Sequence, residues 1–289
     1  MSNFKTIVLV VLYGKPVSDS NTIKSLLKMN FKEFDVFIHN NGPKRLEELS
    51  LNLKKLLPNN YKYINDLSNS SLSLIYNNFI KNNIDYDRFV IFDDDTILKS
   101  EFFDEVNKDV SLCNDIHLQV PIIYENNNIH YPLVNDVPLS AIDSPLIVNL
   151  NKDKLFSIGS GLIIYKPLIQ MFVEKNKNLF DERFVFYGVD VSLFRALNKD
   201  NFISPKKINI LVSSSVQHSL SKNSKEKISN WRLQERVIDD TLSTILFTDG
   251  FFRKCYRLLK IMIKNSSLSM VWLFPVIIKV IIIRRHPRS

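Results

Sequence analysis

The chain has 289 residues, of which 45% are hydrophobic, so it can bury one large domain with an appendage or two small domains. Its two cysteines, Cys113 and Cys255, lie far apart with no CxxC spacing, which argues against a disulfide framework or a zinc site. We therefore expect a reducing cytosolic compartment. The N-terminus has no signal-peptide pattern, because residues 6–12 look like a first buried strand.

The net charge of +8 is concentrated in the C-terminal tail, residues 251–289. This tail has nine basic side chains and no acidic one, whereas the first 250 residues carry 29 basic and 30 acidic side chains, a net −1. A nucleic-acid-binding body should carry the basic surface itself, so nucleic acid is not an expected partner. The tail instead predicts contact with an anionic membrane surface.

The N-terminal part of the chain alternates apolar strands with helices over short connections. This alternation predicts an α/β fold with a central, mainly parallel sheet flanked by helices. In chain order the predicted elements are a strand at 6–12, a helix at 17–29, a strand at 34–39, a helix at 44–57, a short strand at 62–64, a helix at 70–81, a strand at 89–92 and a helix at about 100–110.

The second half of the sequence is less regular. Strand-like segments at 117–124 and 155–165 precede a helix at about 190–198, a strand at 208–216 and a helical segment from Trp231.

The basic tail contains two segments that predict helices. Residues 251–264 interleave basic and apolar residues at helical spacing, which is typical of a membrane-surface helix. Residues 268–283 are almost wholly apolar, but they contain Lys279 and are shorter than the roughly 20 residues of a full span. We therefore expect monotopic insertion, with a folded body remaining if the chain is cut after about Thr248. The alternative is a pair of helices packed on the body.

Three consecutive carboxylates, Asp93, Asp94 and Asp95, follow the apolar strand at 89–92. In open α/β sheets, ligands bind at the carboxyl ends of the strands. Adjacent carboxylates repel one another unless a cation neutralises them. Mg²⁺ and Mn²⁺ take oxygen ligands and keep positions free for substrate phosphates, so the motif predicts such a metal site. The alternative is an acidic turn that caps the following helix.

A series of short segments extends this reading along the chain. They are VVLYG at 10–14, FIHNNG at 37–42, NDLSNSSLSLIYN at 65–77, FDDDT at 92–96, SIGSG at 157–161, FDE and YGVD between 180 and 190, and QHSLS at 217–221. In this order they resemble the motifs of family-2 glycosyltransferases, which have the GT-A fold. The nearest branch is similar to bacterial rhamnosyltransferase-like enzymes of surface-polysaccharide (O-antigen or capsule) synthesis. The resemblance implies a catalytic domain over 1–222 and a C-terminal helical region over 223–289.

The resemblance implies an inverting hexosyltransferase that uses Mn²⁺ or Mg²⁺. It would move rhamnose, galactose or glucose from a dTDP- or UDP-sugar to a lipid-linked (undecaprenyl-diphosphate) glycan. Such an enzyme would be peripheral or monotopic at the cytoplasmic face of a bacterial inner membrane. Two alternatives remain: a metal-dependent nucleotidyltransferase, and a non-catalytic membrane-associated scaffold on the same fold.

The resemblance also assigns roles around the acidic motif. Asp95 and Asp93 would hold the metal, with His218 as a third ligand or a diphosphate contact. The alternative for His218 is a plain surface histidine. Residues expected at the donor nucleotide are Tyr13, Asn40, Asn69, Asp93 and Asp94. An amide at position 40 offers a donor and an acceptor to a pyrimidine base, although the family mostly has Asp there. The alternative for Asn40 is a turn residue before Gly42.

The resemblance implies that Asp190 is the catalytic base. Where the family more often has a Glu-Asp pair, this chain has Val189-Asp190, which leaves one carboxylate. It would accept the proton of the acceptor hydroxyl. A helix N-cap is the alternative role, and Glu182 is the alternative base. Arg232 and Arg236 lie four residues apart on a predicted helix and are candidates for a phosphate clamp or for a solvated face.

Overall fold

The computed structural model describes residues 4–47, 60–139, 144–150, 152–199, 208–219, 229–265 and 270–289. These residues form a ten-stranded sheet, a small three-stranded sheet and eight α-helices. The strands are β1 (Thr6–Leu12), β2 (Phe34–Asn40), β3 (Tyr61–Asn65), β4 (Arg88–Asp93), β5 (Ile97–Leu98), β6 (Ile116–Glu125), β7 (Asn128–Tyr131), β8 (Leu133–Val134), β9 (Val137–Pro138), β10 (Leu146–Asn149), β11 (Leu155–Phe156), β12 (Leu162–Tyr165) and β13 (Asn209–Gln217). The helices are α1 (Asn21–Leu27), α2 (Leu72–Lys81), α3 (Phe102–Asp109), α4 (Lys166–Val173), α5 (Val189–Leu197), α6 (Asn230–Phe247), α7 (Phe251–Lys264) and α8 (Phe274–Ile283).

The large sheet has the strand order β10-β13-β6-β12-β4-β1-β2-β3. Strands β3, β2, β1 and β4 pair in parallel, and so do β6 and β13. Strand β12 runs antiparallel between β4 and β6, so β6 and β13 point the same way as β1 to β4. The carboxyl ends of six strands therefore meet at one edge of the sheet, which confirms the predicted α/β architecture.

Helices cover both faces of the sheet. All seven residues of β1 are buried, as expected for a strand with a helical layer on each side. Because side chains alternate along a strand, Leu9 packs in a core with α2, α4, α5 and α6, whereas Val8 and Val10 pack in a second core with α1 and α3. The helices packed in these two cores hold the parallel strands in place. They therefore also position the edge of the sheet at which Asp93 ends β4.

Two predicted elements differ from the structure at their boundaries. The helix predicted at 17–29 begins at Asn21, because the Ser20 side chain accepts a hydrogen bond from the Ile23 amide and caps the helix there. The strand predicted at 155–165 is divided into β11 and β12 by a turn at Gly161, whose φ of 84° is accessible to glycine. Most of the helix predicted at 44–57 lies outside the described residues.

The C-terminal region packs on the body through α8. Leu273 and Ile277 are fully buried with Val237 of α6, and Val280 joins the main core. The apolar run therefore matches the packed-helix alternative. Cutting after Thr248 would uncover this interface, and a folded body without the tail stays a prediction. Among the described helices, none has the length and apolar composition required to cross a bilayer.

We expect Ile277→Ala to lower the free energy of unfolding by about 2–5 kcal/mol, because it opens a cavity between α8 and α6. Ile278 is the matched control: it is the next residue on the same helix and is 50% exposed, whereas Ile277 is 0% exposed. Ile278→Ala should change stability by less than about 1 kcal/mol. Urea unfolding of both variants measures the difference, and equal small effects would contradict the packing of α8.

Candidate active site

A cleft of about 470 Å³ opens at the edge where the parallel strands end. One wall comes from the ends of β1, β4 and β13, including Tyr13, Asp93 and His218. Other lining residues come from 186–191 and from the first turn of α6. Residues more than 200 positions apart in sequence therefore share one cavity at the position where α/β sheets bind ligands.

The turn that carries the three aspartates is held by the first turn of α1. The Ser20 hydroxyl donates to the carbonyl of Asp94 at 2.8 Å, and the Thr96 amide donates to the Thr22 hydroxyl at 3.0 Å. These bonds use backbone groups of the turn, so the carboxylates remain available to the cleft. The three aspartate side chains therefore line the cleft and do not cap the following helix.

Asp93, Asp95 and His218 form a group that we call the strand-end cluster. Each residue offers one ligand atom, and these atoms lie within 4.8 Å of one another. His218 Nδ1 is 3.1 Å from Asp95 Oδ1, and His218 Nε2 is 3.7 Å from Asp93 Oδ2. Carboxylate oxygens suit Mg²⁺ and Mn²⁺, and imidazole is a common ligand of transition metals. The donor set therefore fits the expected metal.

The electrostatics of the strand-end cluster also suit a cation. Burial, opposed by His218 and reinforced by the neighbouring acids, raises the pKa of Asp93 to about 6. Burial lowers the pKa of His218, but hydrogen bonding and attraction to Asp95 and Asp93 outweigh it, so the pKa lies above its ordinary value. Hydrogen bonds from His218 and Ser219 outweigh burial at Asp95 and depress the pKa of that carboxyl. Asp93 and Asp95 therefore favour a positive charge beside them, as the effect on the pKa of His218 shows.

Asp94 faces a different partner from its neighbours. Lys15 Nζ lies 2.7 Å from Asp94 Oδ1, and the backbone amide of Tyr13 donates to Asp94 Oδ2 at 3.4 Å. Burial raises the pKa of Asp94 despite this lysine. The pair joins the end of β1 to the acidic turn, and the half-exposed ring of Tyr13 lines the cleft beside it.

Asp190 lies in the first turn of α5 and lines the cleft. Its Oδ2 accepts from the Gly159 amide at 2.7 Å, and its Oδ1 accepts from the Val191 amide at 2.8 Å. These two donors fix the orientation of the carboxylate. Glu182, the alternative base, instead accepts from Asn77 and Asn178 and lines a separate cavity.

A second carboxylate, that of Asp239 on α6, also lines the cleft near Asp190. A Cβ at Gly188 would lie 1.9 Å from Asp239 Oδ1, and Gly188 has a φ of 74°, so this turn requires glycine. Burial, opposed by Arg195, raises the pKa of Asp239 to about 6. No motif in the sequence pointed to this residue, because it lies some 50 positions beyond the segment it contacts.

The expected nucleotide-side amides occupy different environments. Asn40 is fully buried: its Nδ2 donates to the Lys44 carbonyl and to Asn65 Oδ1, and its Oδ1 accepts from the Gly42 amide. Because these bonds tie Asn40 to the turn that follows β2, its environment matches the alternative role of a turn residue. Its neighbour Asn41 lines the cleft instead, and its buried Oδ1 has no hydrogen-bond partner among the residues described. Asn69 also lines the cleft, in a left-handed conformation.

The two expected phosphate-binding arginines do not share the cleft. Arg232 lines it from the first turn of α6. The Arg236 guanidinium lies 5.9 Å from the Tyr187 ring centroid and is not part of the lining. Sequence spacing could not show this division, because residues four apart lie on one helix face and the contact with Tyr187 depends on the fold.

Two hydroxyl residues that were not expected in the site lie next to His218, one in contact with the imidazole and the other in contact with the first. The Thr96 hydroxyl is 3.1 Å from His218 Nδ1 and also contacts the Ser160 hydroxyl. Both hydroxyls are fully buried, so their bonds are protected from water. Thr96 immediately follows the acidic triplet, and Ser160 lies in the SIGSG segment. Their position next to these motifs is the sequence feature that could have predicted them as site residues.

Comparison with known proteins shows the fold. No protein-family model and no curated protein sequence matches this chain. S. aureus TarS 1-349 in complex with UDP-GlcNAc is 14% identical with a TM-score of 0.57, covering 97% of this chain and 81% of that one. S. aureus TarS is 15% identical with a TM-score of 0.53, covering 91% of this chain and 44% of that one, so the present chain spans less than half its length. GalNAc-T7 with UDP, GalNAc and Mn2+ is 12% identical with a TM-score of 0.53, covering 97% of this chain and 57% of that one.

At these identities the likeness concerns the fold alone. The expected GT-A fold, with its mainly parallel sheet and flanking helices, is confirmed.

Proposed function

We propose that the protein is a metal-dependent glycosyltransferase that takes its sugar from a nucleoside-diphosphate donor. The observation that carries the proposal is that the strand-end cluster and Asp190 face one cleft at the carboxyl edge of the sheet. The fold is shared with solved structures that contain UDP-GlcNAc, or UDP with Mn2+. A cation-binding group and a fixed carboxylate in one cleft are the two elements that metal-assisted transfer of a sugar to a hydroxyl requires.

The residues on the strand side of the cleft bind and orient the donor. Asp93, Asp95 and His218 would hold Mn²⁺ or Mg²⁺, which when bound stabilises the charge of a diphosphate leaving group. Tyr13, Asn41 and Asn69 line the part of the cleft nearest to the ends of β1, β2 and β3, where we place the nucleoside. The Asp94–Lys15 pair holds this end of the cleft together.

Asp190 acts on the acceptor. Its carboxylate takes the proton of the attacking hydroxyl while the oxygen bonds to the anomeric carbon and the bond from that carbon to the diphosphate breaks. Attack opposite to the leaving group inverts the anomeric centre. The amides of Gly159 and Val191 hold the carboxylate in one rotamer, so the base is oriented before the acceptor binds.

The donor and acceptor are proposed from the sequence resemblance. A dTDP- or UDP-linked rhamnose, galactose or glucose is the expected donor, and a lipid-linked glycan of surface-polysaccharide synthesis is the expected acceptor. A screen of purified protein with UDP- and dTDP-sugars and Mn²⁺ tests the proposal through release of UDP or dTDP. Release of neither nucleotide from any sugar would favour the scaffold alternative.

The proposed membrane contact is supported by helix α7. None of its residues is buried, and its exposed apolar stripe comprises Phe252, Tyr256, Leu259 and Ile263. Phe252 is 85% exposed. Basic residues flank this stripe along the same helix, so one surface combines apolar insertion with attraction to anionic headgroups. We propose that the protein lies on a membrane through α7, with the cytoplasmic leaflet as the expected surface.

We expect the double variant Phe252→Ser/Leu259→Ser to reduce partitioning onto phosphatidylglycerol-containing vesicles at least tenfold. Burying one such side chain is worth about 1.5–3 kcal/mol, and 1.4 kcal/mol is a factor of ten. Vesicle sedimentation measures the effect. Val173→Ser is the control, because Val173 is also an exposed apolar residue but lies on α4. Equal partitioning of the two variants would contradict the role of α7.

A further inference from the structure

The last residues of the chain return to the body after α8. The His286 amide donates to the Arg183 carbonyl at 2.9 Å, and His286 Nε2 lies 2.9 Å from Glu235 Oε2 of α6. Both side chains are buried, at 4% and 3% exposure. A buried pair of this kind is sensitive to the loss of either partner, so it anchors the chain end against α6.

This anchor places Arg288 at the rim of the cleft. The Arg288 amide donates to His286 Nδ1 at 3.1 Å, and its guanidinium donates to the Asn69 carbonyl at 2.9 Å. The guanidinium also lies 4.9 Å from the Phe186 ring centroid. Asn69 and Phe186 both line the cleft, so Arg288 contacts two lining residues from a position at the rim.

The aromatic residues beneath Arg288 strengthen this placement. Phe186 contacts the Trp231 ring at 5.6 Å and the His286 ring at 6.4 Å between centroids. The guanidinium thus stacks on a ring that is itself held on two sides, which preorganises the cation. In the described residues one hydrogen bond uses one of its five N–H groups, and the side chain is exposed.

The acidic lining of the cleft suggests a role for the Arg288 guanidinium in binding an anionic group. Five carboxylates line the cleft: Asp93, Asp94, Asp95, Asp190 and Asp239. An anionic substrate entering such a cavity needs compensating positive charge from the protein. The guanidinium fork matches two oxygens of one phosphate, and Arg232 on the cleft lining supplies a second cation on the same side as Phe186.

We infer that Arg288 is a phosphate-binding residue of the cleft, contributed by the C-terminal segment and recognising the diphosphate of a substrate. The inference rests on the proposed function, which supplies two diphosphate sources, the nucleotide donor and a lipid-linked acceptor. The shared chemistry is a diphosphate, and the test distinguishes the sources.

The test compares Arg288→Ala and Arg288→Lys with Arg285→Ala. Arg285 is a matched control, because it is an exposed arginine of the same segment, and its side chain bonds to Ser289 instead of the cleft. Calorimetry with UDP and dTDP in Mn²⁺ reports the donor site. A short-chain prenyl diphosphate, titrated in the presence of the tighter-binding nucleotide, reports the acceptor site.

We expect Arg288→Ala to weaken one of these probes at least tenfold, with Arg288→Lys in between, because lysine keeps the charge but loses the fork. The affected probe identifies the diphosphate source. Thermal melting should match that of Arg285→Ala, which separates lost binding from misfolding. If both probes bind Arg288→Ala within twofold of the control, the inference is overturned while the proposed function stands. If the wild-type protein binds no probe, the proposed function fails and the inference with it.

Discussion

Replacing Asp95 by alanine is expected to reduce sugar transfer by about 10³-fold or more. Asp95 belongs to the strand-end cluster, and a bound metal stabilises a diphosphate leaving group by several kcal/mol, with 1.4 kcal/mol per factor of ten. Initial-rate assays over a range of Mn²⁺ concentrations measure the loss. Asp93→Ala should also impair transfer severely, because Asp93 offers the second carboxylate to the same ion.

Asp104→Ala is the control for these variants, because Asp104 is an exposed acid on α3 away from the cleft. It should leave transfer and its metal dependence unchanged. The metal assignment would be wrong if Asp95→Ala kept full activity, or if the wild-type enzyme retained its rate in EDTA.

Replacing Asp190 by asparagine is expected to preserve donor binding and to lower turnover by about 10²–10⁴-fold, the usual contribution of a general base. The amide oxygen can still accept a hydrogen bond from the Gly159 amide, whereas the bond from the Val191 amide is lost, so the side chain keeps one of its two anchors and loses its proton affinity. Pre-steady-state transfer measurements with saturating donor isolate this step. An unchanged dissociation constant for UDP or dTDP shows that the site is intact.

Glu182→Gln is the matched control for the base, because Glu182 is the alternative carboxylate predicted from sequence but lines a separate cavity. It should transfer at close to the wild-type rate. The opposite result, an inactive Glu182→Gln and an active Asp190→Asn, would show that the base is assigned to the wrong carboxylate.

The strand-end part of the site was predictable from sequence because two simple patterns coincide there. Apolar runs such as 89–92 mark buried strands, and the carboxyl ends of parallel strands share one edge. These rules place Asp93, Asp95 and His218 together, and the structure brings their ligand atoms within 4.8 Å. Exact side-chain direction was less accessible: Asn40 turns into the protein, and the next residue, Asn41, reaches the cleft.

The C-terminal region shows why the rest could not be predicted. An apolar segment such as 268–283 has the same composition whether it enters a bilayer or packs on a protein. The deciding contact is with Val237, a residue that lies outside any local pattern. Asp239 lines the cleft and Arg288 lies at its rim through contacts between residues far apart in sequence, which leave no periodicity in the sequence.

The most direct test of the account is a calorimetric titration of the purified protein with UDP and with dTDP, in Mn²⁺ and then in EDTA. The account holds that the strand-end cluster binds a nucleoside diphosphate together with a metal. It therefore predicts that at least one nucleotide binds in Mn²⁺, and that its dissociation constant rises tenfold or more in EDTA and in Asp95→Ala. Failure of both nucleotides to bind in Mn²⁺, or equal binding with and without the metal, would contradict it.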